Sequence, residues 1–268
     1  MQTVGLGATA RNRVEGRVGM SSDEDRAAVT LAREAGAELL ALRARLPVGR
    51  ARGHEGDQVS HSLLIARIAE LFPDDRVRSE EADQSRPLGS AEGRVWIIDP
   101  LDGTREYSEG REDWAVHVAM AVDGVPRVGA VALPAMGEVL GTGEPPALPP
   151  AAPTPRMVVS RSRPPEFVPA LASRLNAVTV PMGSAGAKIA SVVLGRAEVY
   201  VHAGGQYEWD SAAPVAVALA VGFHACRLDG SPLRYARPDP WLPDLVVCHP
   251  TLTDAVMEAI DAVGLVTP

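Results

Sequence analysis

Two acids three residues apart, Asp99 and Asp102, are the residues whose type and spacing point most clearly to chemistry. They lie in the run 96–104, Trp-Ile-Ile-Asp-Pro-Leu-Asp-Gly-Thr, where an apolar stretch typical of a buried strand ends at the first acid. The proline fixes a turn, and Gly103 and Thr104 then offer backbone N–H groups with little side-chain obstruction. Carboxylate oxygens are ligands that Mg²⁺ prefers, and N–H groups at a turn bind phosphate oxygens. In isolation, such acids could simply cap the next segment.

Further acids stand at Asp57, at the pair Glu80-Glu81 and at Asp210. Each has a simpler interpretation when it is taken alone. The pair could be a solvated surface feature, and Asp57 and Asp210 could each cap a helix. Their common occurrence with the run 96–104 favours a shared site for divalent cations over these separate roles.

Hydrophobic spacing predicts the elements that carry the acids in the first half of the chain. A helix is predicted over 23–46, with Ser22 or Asp23 as its cap, and a second helix over 62–72. Short apolar runs predict strands over 95–98, 114–122 and 129–133. The dipeptide Asp123-Gly124 predicts a turn between the last two strands.

Strand and helix patterns alternate after residue 155, which indicates an α/β second half. The predicted strands cover 157–160, 178–180 and 199–201. The predicted helices cover 165–175, 184–194 and 211–221.

The chain is accordingly divided into four parts. Residues 1–19 are predicted to be a disordered extension, and 20–144 an α+β half that binds metal and phosphate. The run 145–155 contains too many prolines for a helix or an interior strand and is predicted to be a linker or surface loop. Residues 156–268 are predicted to be an α/β half that binds substrate.

The acidic segments resemble the signature of the inositol monophosphatase superfamily. There an acidic pair after a strand precedes a W-I-[IV]-D-P-[IL]-D-G-T segment, and W-D-x-A-[AG] follows near the C terminus. This chain has Glu80-Glu81, then 96–104, then Trp-Asp-Ser-Ala-Ala over 209–213. The resemblance runs from about residue 24 to the end. It implies an α+β and α/β fold stacked as an alternating αβαβα sandwich, with the active site between the halves.

The resemblance implies a magnesium-dependent phosphomonoesterase with two or three Mg²⁺ ions. The implied ligands of the first ion are Glu80, Asp99 and the Leu101 carbonyl. Those of the second are Asp99, Asp102 and Asp210. Two cations about 3.5–4 Å apart can hold both the attacking and the leaving oxygen of an in-line displacement, so that no covalent enzyme intermediate is needed.

The same resemblance implies the remaining roles. Thr104 orients the attacking water, and Asp57 and Glu80 are further catalytic acids, with Asp57 either activating the water or helping to bind a third ion. Gly103 and Thr104 contact the phosphate through their N–H groups. The implied substrate-binding set also includes Glu80, Leu101, Asp102 and Asp210.

Two positions depart from the superfamily pattern. A V-T-x-x-D stretch usually surrounds the first acid, whereas this chain has Arg-Gly-His-Glu-Gly-Asp over 52–57, which leaves the role of Asp57 open. A basic residue usually follows the A-[DE]-x-Y strand, and His202 stands there instead. His202 is either part of a changed substrate pocket or a partly buried residue at the end of a strand.

The segment Gly183-Ser184-Ala-Gly-Ala-Lys188 is the feature from which a substrate within the superfamily is predicted. A turn of this kind can donate N–H groups to a ligand, and Lys188 could meet a second phosphate. The segment resembles that of bisphosphate nucleotidases, in the CysQ-type branch. This resemblance implies hydrolysis of the 3'-phosphate of 3'-phosphoadenosine 5'-phosphate and of its sulfated form, in sulfur assimilation. The alternative is that the glycines serve helix packing and Lys188 lies on the surface.

Two other functions stay open. The same site could act on inositol 1-phosphate or fructose 1,6-bisphosphate, because a metal site recognises only the phosphate. A catalytically silent protein that binds metal or nucleotide is the other alternative, although it has no need for Glu80, Asp99, Asp102, Thr104 and Asp210 together. Relatives often form dimers and are sensitive to lithium, and both properties are expected here from the resemblance.

Bulk properties exclude several classes of protein. The formal net charge of -8 over 268 residues disfavours sequence-independent binding of nucleic acid, which requires positive charge. The two cysteines belong to no zinc-ligand motif and indicate a reducing compartment. No apolar run reaches the ~20 residues of a membrane span, and residues 1–20 lack the apolar core of a secretory signal. A cytoplasmic location is therefore predicted.

Overall fold

The structure, a computed structural model, describes residues 22–82 and 89–265. The extension predicted over 1–19 lies outside the described residues. The described part of the chain contains two five-stranded sheets and seven α-helices.

The first helix, α1 (Asp23–Arg45), confirms the helix predicted over 23–46. Ser22 caps it, because its hydroxyl accepts the Asp25 N–H at 3.1 Å while the Asp25 carboxylate accepts the Ser22 N–H at 3.1 Å. Residues at helical spacing form its buried face: Ala28, Leu31, Ala32, Ala35, Leu39 and Leu42.

The second helix, α2 (Arg50–Leu71), begins 12 residues before the predicted start at residue 62. Gly53 and Gly56 weaken the helical pattern, but both are needed for close packing. A Cβ at Gly53 would overlap Ser108, and one at Gly56 would lie 3.0 Å from Leu101. Asp57 consequently lies inside a helix, and the alternative that it acts as an N-cap is wrong.

The first sheet has the order β1-β2-β3-β4-β5, with β1 parallel to β2 and the other neighbours antiparallel. Its strands are β1 (Arg76–Ser79), β2 (Arg94–Asp102), β3 (Ala115–Val122), β4 (Val125–Leu133) and β5 (Glu138–Gly141). The three predicted strands are confirmed as β2, β3 and β4. Hydrophobic spacing predicted neither β1 nor β5, although the resemblance implies a strand before the acidic pair. The predicted turn between β3 and β4 is also confirmed, with φ at 50° for Asp123 and 74° for Gly124.

Strand β2 continues through the segment that was predicted to be a turn after Asp99. Asp99 pairs with His117 and Asp102 pairs with Ala115. Two residues of β2 therefore lie between these pairs where β3 has only one, which is a β-bulge. This bulge accommodates Pro100, which has no N–H for the ladder. It holds both acids on the buried end of a strand, directly before the short helix α3 (Thr104–Glu109).

The second sheet has the order β7-β6-β8-β10-β9. Its strands are β6 (Arg156–Ser160), β7 (Val178–Met182), β8 (Val199–Tyr207), β9 (His224–Cys226) and β10 (Trp241–Cys248). The helices of this half are α4 (Val168–Arg174), α5 (Ala185–Val193), α6 (Ala212–Val221) and α7 (Thr253–Ala262). The predicted alternation of strands and helices is confirmed, although α4 is shorter than expected and β8 is six residues longer.

The elements stack in five layers, which confirms the αβαβα sandwich. Helices α1 and α2 cover one face of the first sheet, and α5 and α6 lie between the two sheets. Helices α4 and α7 cover the outer face of the second sheet.

One apolar core extends across both sheets, from Val95 and Val131 through α5 and α6 to Val247. Residues 145–155 form neither helix nor strand, as their prolines predict. The two halves therefore share a core, and their division into a metal-binding and a substrate-binding half stays a prediction.

Candidate active site

Three of the predicted acids meet at the junction of the two halves. One carboxylate oxygen each of Asp99, Asp102 and Asp210 lies within 4.8 Å of the other two. Asp99 is 1% exposed and Asp102 is 7% exposed. Buried carboxylates repel one another unless a cation lies between them, so this arrangement suits a metal ion.

Asp99 is oriented by the bulge of β2. The Leu101 N–H donates to its Oδ1 at 3.0 Å, which fixes the carboxylate beside its own strand. The same turn directs the Leu101 carbonyl towards Thr104, whose hydroxyl oxygen lies 3.1 Å from it. The segment 99–104 thus presents carboxylate, carbonyl and hydroxyl oxygens within a few residues.

Asp102 is held by the first turn of α5. The N–H groups of Ala185 and Gly186 donate to its two oxygens at 3.2 and 2.5 Å. His117 Nε2 lies 3.3 Å from its Oδ2. A Cβ at Gly186 would overlap the buried His117 ring and lie 2.9 Å from Asp102, so glycine is required there.

Asp210 ends a 3₁₀ turn over Glu208–Asp210 that precedes α6. Its Oδ2 accepts the Tyr207 N–H at 2.6 Å. His117 Nδ1 donates to the Trp209 carbonyl at 2.9 Å, and only a protonated nitrogen can do so. His117 therefore contacts Asp102 through one nitrogen and the backbone next to Asp210 through the other.

Asp57 and Thr104 form a second group beside the acids. The Thr104 hydroxyl donates towards Asp57 Oδ1 at 3.1 Å, across 47 residues of sequence. Gly103, in the left-handed conformation with φ at 89°, turns the chain so that Thr104 begins α3. A hydroxyl bonded to a carboxylate can orient and help to deprotonate a water, which is the role predicted for this pair.

Glu80 follows β1 directly, as predicted for an acid after a strand. The residue as a whole is exposed, but its carboxylate is partly withdrawn from water. This withdrawal, and then the charges of Asp102 and Asp57, raise the pKa of Glu80 to about 7. The carboxylates of Glu80, Asp102 and Asp57 therefore lie close enough to repel one another.

The pKa values of the neighbouring acids are raised for the same reasons. Burial, followed by the nearby Glu81, raises the pKa of Asp57 to about 7. Burial and then Asp102 raise the pKa of Asp210 to about 7. Burial and the charges of Glu80 and Asp102 raise the pKa of Asp99 well above its usual range. A set of all-oxygen donors that repel one another fits a hard divalent cation.

Burial and mutual repulsion of these acids together predict an unusual dependence of stability on pH in metal-free protein. Asp57, Glu80 and Asp210 have raised pKa values in the folded chain, so they favour folding at low pH. Their contribution is lost as pH rises from about 4 to about 7. We expect the Tm in EDTA to be lower at pH 8 than at pH 5 by a few degrees.

Calorimetry with an Asp210→Asn variant isolates the effect from other titrating groups. The variant has one fewer carboxylate in the cluster, so its Tm should fall less over the same pH range. An equal fall in the two proteins would contradict the assignment of the effect to these acids.

A cleft of about 570 Å³ opens from Asp102 and Asp210 between α5 and β8. Aromatic side chains of Tyr207 and Trp241, both partly exposed, contribute to its wall. Their rings meet edge to face at 5.6 Å. This size and lining are typical of a small-molecule site.

The segment 183–188 lines the cleft, but its N–H groups are not arranged as predicted. Gly183 donates to Asp113 Oδ2 at 2.7 Å, and the next turn donates to Asp102. The prediction that this turn offers these N–H groups to a ligand is wrong, because carboxylates of the first half already accept them. Ser184 is the N-cap of α5, accepting the Ala187 N–H at 2.8 Å.

Lys188 is 5% exposed and points back to the start of its helix, so the alternative of a surface lysine is wrong. Its Nζ donates to the carbonyls of Gly183 and Ser184, the latter at 2.9 Å. Burial lowers its pKa, and the nearby Asp102 and Glu106 oppose this shift. The ammonium group lies at the cleft wall, and its contact with a second phosphate stays a prediction.

His202 lies within β8 and also lines the cleft. Its Nε2 bonds the Gly205 carbonyl at 2.8 Å, and burial lowers its pKa. The structure thus places a neutral ring, rather than a guanidinium, at this position of the pocket.

Several site residues carried no clear signal in the sequence. Glu106 is buried at the cleft and pairs with Arg161 at 2.8 Å. Arg78 and Glu208 form a buried pair at 2.6 Å. Gln206 lines the cleft, and neither polar atom of its side chain has a hydrogen-bond partner within residues 22–82 and 89–265. Of these residues, only Glu208 could have been suspected from the sequence, because it is an acid two residues before Asp210.

The family model for the inositol monophosphatase family matches residues 22–264 of this chain. The chain belongs to this family. The family is metal-dependent, in agreement with the acidic cluster, and the resemblance predicted from the sequence is confirmed.

Two curated relatives are similar over most of their length. A 3'-phosphoadenosine 5'-phosphate phosphatase of Mycobacterium bovis is 47% identical over 242 residues, covering 85% of this chain and 89% of the relative. An enzyme of the same name from Mycobacterium leprae is 45% identical over 256 residues, covering 87% and 92%.

Solved structures confirm the fold. Inositol monophosphatase-II of Staphylococcus aureus superposes with a TM-score of 0.75 at 20% identity, covering 87% of this chain and 91% of that one. Within the described residues, no helix is long and apolar enough to cross a membrane.

Proposed function

We propose that this protein is a magnesium-dependent phosphatase that removes the 3'-phosphate of 3'-phosphoadenosine 5'-phosphate and of its sulfated form, in sulfur assimilation. The observation that carries the proposal is the acidic cluster of Asp99, Asp102 and Asp210 at the mouth of the cleft. The 45–47% identity to phosphatases named for this nucleotide supports the choice of substrate.

Metal binding is assigned to the oxygens at the junction of the halves. Asp99, Asp102 and Asp210 supply the shared cluster, and Glu80 and the Leu101 carbonyl complete the predicted set for two ions. Asp57 is the predicted ligand of a third ion. A bound cation supplies positive charge that neutralises phosphate and lowers the pKa of water.

Other residues of the chain orient the attacking water, accept its proton and bind the phosphate. Thr104 donates to Asp57, so a lone pair of its hydroxyl is left to orient the attacking water. Asp57, which accepts the hydroxyl proton of Thr104, is the predicted acceptor for the proton that the water loses. The N–H groups of Gly103 and Thr104, at the turn into α3, are the predicted donors to the phosphate oxygens.

The cleft supplies the features that a nucleotide requires. With the 3'-phosphate bound near Asp102, the sugar and the base would extend along the cleft, whose volume of about 570 Å³ accommodates them. Lys188 and Arg163 line it and could neutralise a 5'-phosphate. Tyr207 and Trp241 offer apolar ring surface to the base.

Hydrolysis of competing substrates tests the proposal. Phosphate release with Mg²⁺ would be compared for the adenosine bisphosphate, inositol 1-phosphate and fructose 1,6-bisphosphate. We expect kcat/KM to favour the nucleotide at least about tenfold, or ~1.4 kcal/mol of transition-state binding. Preference for a sugar phosphate would keep the mechanism and change the substrate, whereas no release from any substrate would favour a silent binding protein.

Similar structures of SaIMPase-II contain 2'AMP in one case and inositol monophosphate in another. That protein therefore binds both a nucleotide and an inositol phosphate in this fold. Both cases support a small phosphorylated substrate for this chain. A cytoplasmic location and a homodimer stay predictions.

Replacing Gln206 by Leu tests how the base is bound. Both polar atoms of this amide are buried at the cleft wall and have no hydrogen-bond partner within the described residues, and together they match the N6 and N7 edge of adenine. Because one net hydrogen bond contributes about 1 kcal/mol, we expect kcat/KM for the nucleotide to fall about thirtyfold for two such bonds. Hydrolysis of inositol 1-phosphate, which lacks a base, should change less than about twofold. An equal loss on both substrates would contradict base recognition by Gln206.

A further inference from the structure

An ion pair between Arg78 and Glu208 links the two halves of the molecule. Arg78 Nη1 lies 2.6 Å from Glu208 Oε2, although 130 residues separate them in sequence. The side chains are 4% and 0% exposed, so the pair is almost entirely removed from water.

Each member of the pair stands two residues before a predicted metal ligand. Arg78 lies in β1, and Glu80 follows that strand directly. Glu208 begins the 3₁₀ turn that Asp210 ends. The ion pair therefore joins the backbone segment of one acid to the backbone segment of the other.

Further hydrogen bonds fix Glu208. Its two oxygens accept the N–H groups of Ala236 and Arg237 at 2.9 and 3.0 Å. The carboxylate is thus bonded to one guanidinium and two backbone groups, and it cannot rotate without breaking them. The turn that carries Asp210 is anchored at its first residue by these bonds.

Net stability does not explain a pair of this kind. Removing two charges from water costs about as much free energy as their attraction returns, and apolar residues of similar volume often replace such pairs without loss. A buried pair can instead specify one geometry. Here the geometry concerns the distance between Glu80, which follows β1 of the first sheet, and Asp210, in the 3₁₀ turn that follows β8 of the second.

We infer that Arg78 and Glu208 are positioning residues that hold Glu80 and Asp210 at the spacing that metal binding requires. The inference rests on the proposed metal-dependent function, because these two acids are its predicted ligands. Neither Arg78 nor Glu208 touches the metal or the substrate in this role. Their loss should weaken cation binding strongly but change the rate of the metal-saturated enzyme only slightly.

Mn²⁺ titration of the substrate-free protein, followed by electron paramagnetic resonance, tests this directly. The main variant is Arg78→Met with Glu208→Gln, which removes both charges and keeps a side-chain oxygen to accept the backbone N–H groups. We expect Mn²⁺ affinity to fall about tenfold or more while the Tm in EDTA changes by only a few degrees. The Mg²⁺ concentration for half-maximal activity should rise by a similar factor, and saturating Mg²⁺ should restore most of kcat.

Two further variants complete the design. Arg78→Lys keeps the charge but not the planar fork, so its Mn²⁺ affinity should lie between those of the wild type and the double variant. Should the double variant not fold, this variant alone decides the question. Arg156→Met is the matched control, because it breaks a 2.6 Å pair with Glu198 remote from the acids. It should bind Mn²⁺ like the wild type.

The outcomes separate the inference from the proposed function. Unchanged Mn²⁺ affinity in a folded Arg78 variant would overturn the inference even if the enzyme hydrolyses the nucleotide. Weakened affinity in these variants, but not in Arg156→Met, would support it even if the substrate were a sugar phosphate. A wild-type protein that binds no Mn²⁺ would remove both.

Discussion

Replacement of Asp99 by Asn is expected to lower phosphate release about 10³-fold or more while leaving the metal-free protein at least as stable as the wild type. Asp99 is the acid predicted to serve both ions and lies within 4.8 Å of Asp102 and Asp210. Loss of charge stabilisation worth several kcal/mol corresponds to this factor in rate. The measurement is phosphate release at saturating Mg²⁺.

The stability half of this prediction follows from the crowding of the acids. Burial and the neighbouring carboxylates raise the pKa of Asp99 well above its usual range, so its charged form opposes folding when no cation is present. Asn has nearly the same shape, and its oxygen can still accept the Leu101 N–H. The Tm of the variant in EDTA at pH 8 should therefore equal or exceed that of the wild type.

Added Mg²⁺ provides the internal control. It should raise the Tm of the wild type, because a ligand that binds only the folded state stabilises it. The rise should be much smaller for Asp99→Asn. Glu166→Gln, a surface carboxylate substitution outside the cluster, should behave like the wild type in every assay. Undiminished hydrolysis by Asp99→Asn would remove the metal assignment altogether.

The acids of β2 could be predicted from sequence because one short segment carries them all. The run 96–104 combines a buried strand, a proline and two acids, and these local features dictate local geometry. The five-layer fold could be predicted mainly because the same run resembles a known superfamily. Hydrophobic spacing alone located most strands and helices without arranging them in layers.

Contacts between distant segments were harder to predict. Gly53 and Gly56 are unfavourable for helices in isolation, yet they allow α2 to approach α3 and bring Asp57 to Thr104. The turn at 183–186 has the composition of an anion-binding site, but Asp102 and Asp113 occupy its N–H groups. Tertiary partners, which local sequence does not specify, decided both cases.

The pair of Arg78 and Glu208 shows the same limit for charged residues. A lone arginine in a short strand indicates exposure, because arginine is almost never buried without a partner. Its partner lies 130 residues away and belongs to the other sheet's connections. Only the fold reveals that both are buried and that they flank two of the predicted ligands.

Thr104 carries the second large effect that we expect. Replacing it by Val removes the hydroxyl that donates to Asp57 at 3.1 Å and lies 3.1 Å from the Leu101 carbonyl, while keeping the side-chain volume. Since a positioned acid–base group contributes about 10²–10⁴-fold, we expect kcat to fall at least about 10²-fold. KM should change little, because the backbone N–H groups predicted to bind the phosphate remain. Thr104→Ser, which keeps the hydroxyl, is the matched control and should retain most of the activity.

Asp57 and Thr104 should also act as one unit. If the hydroxyl orients the water and the carboxylate accepts its proton, removing either group disables the same step. The double variant Asp57→Asn with Thr104→Val should then be little slower than the slower single variant, instead of showing the product of the two losses. Single-turnover phosphate release at saturating Mg²⁺ measures all four proteins. Losses that simply multiply would show that the two residues serve separate functions, with Asp57 acting through metal binding and Thr104 acting on the water alone.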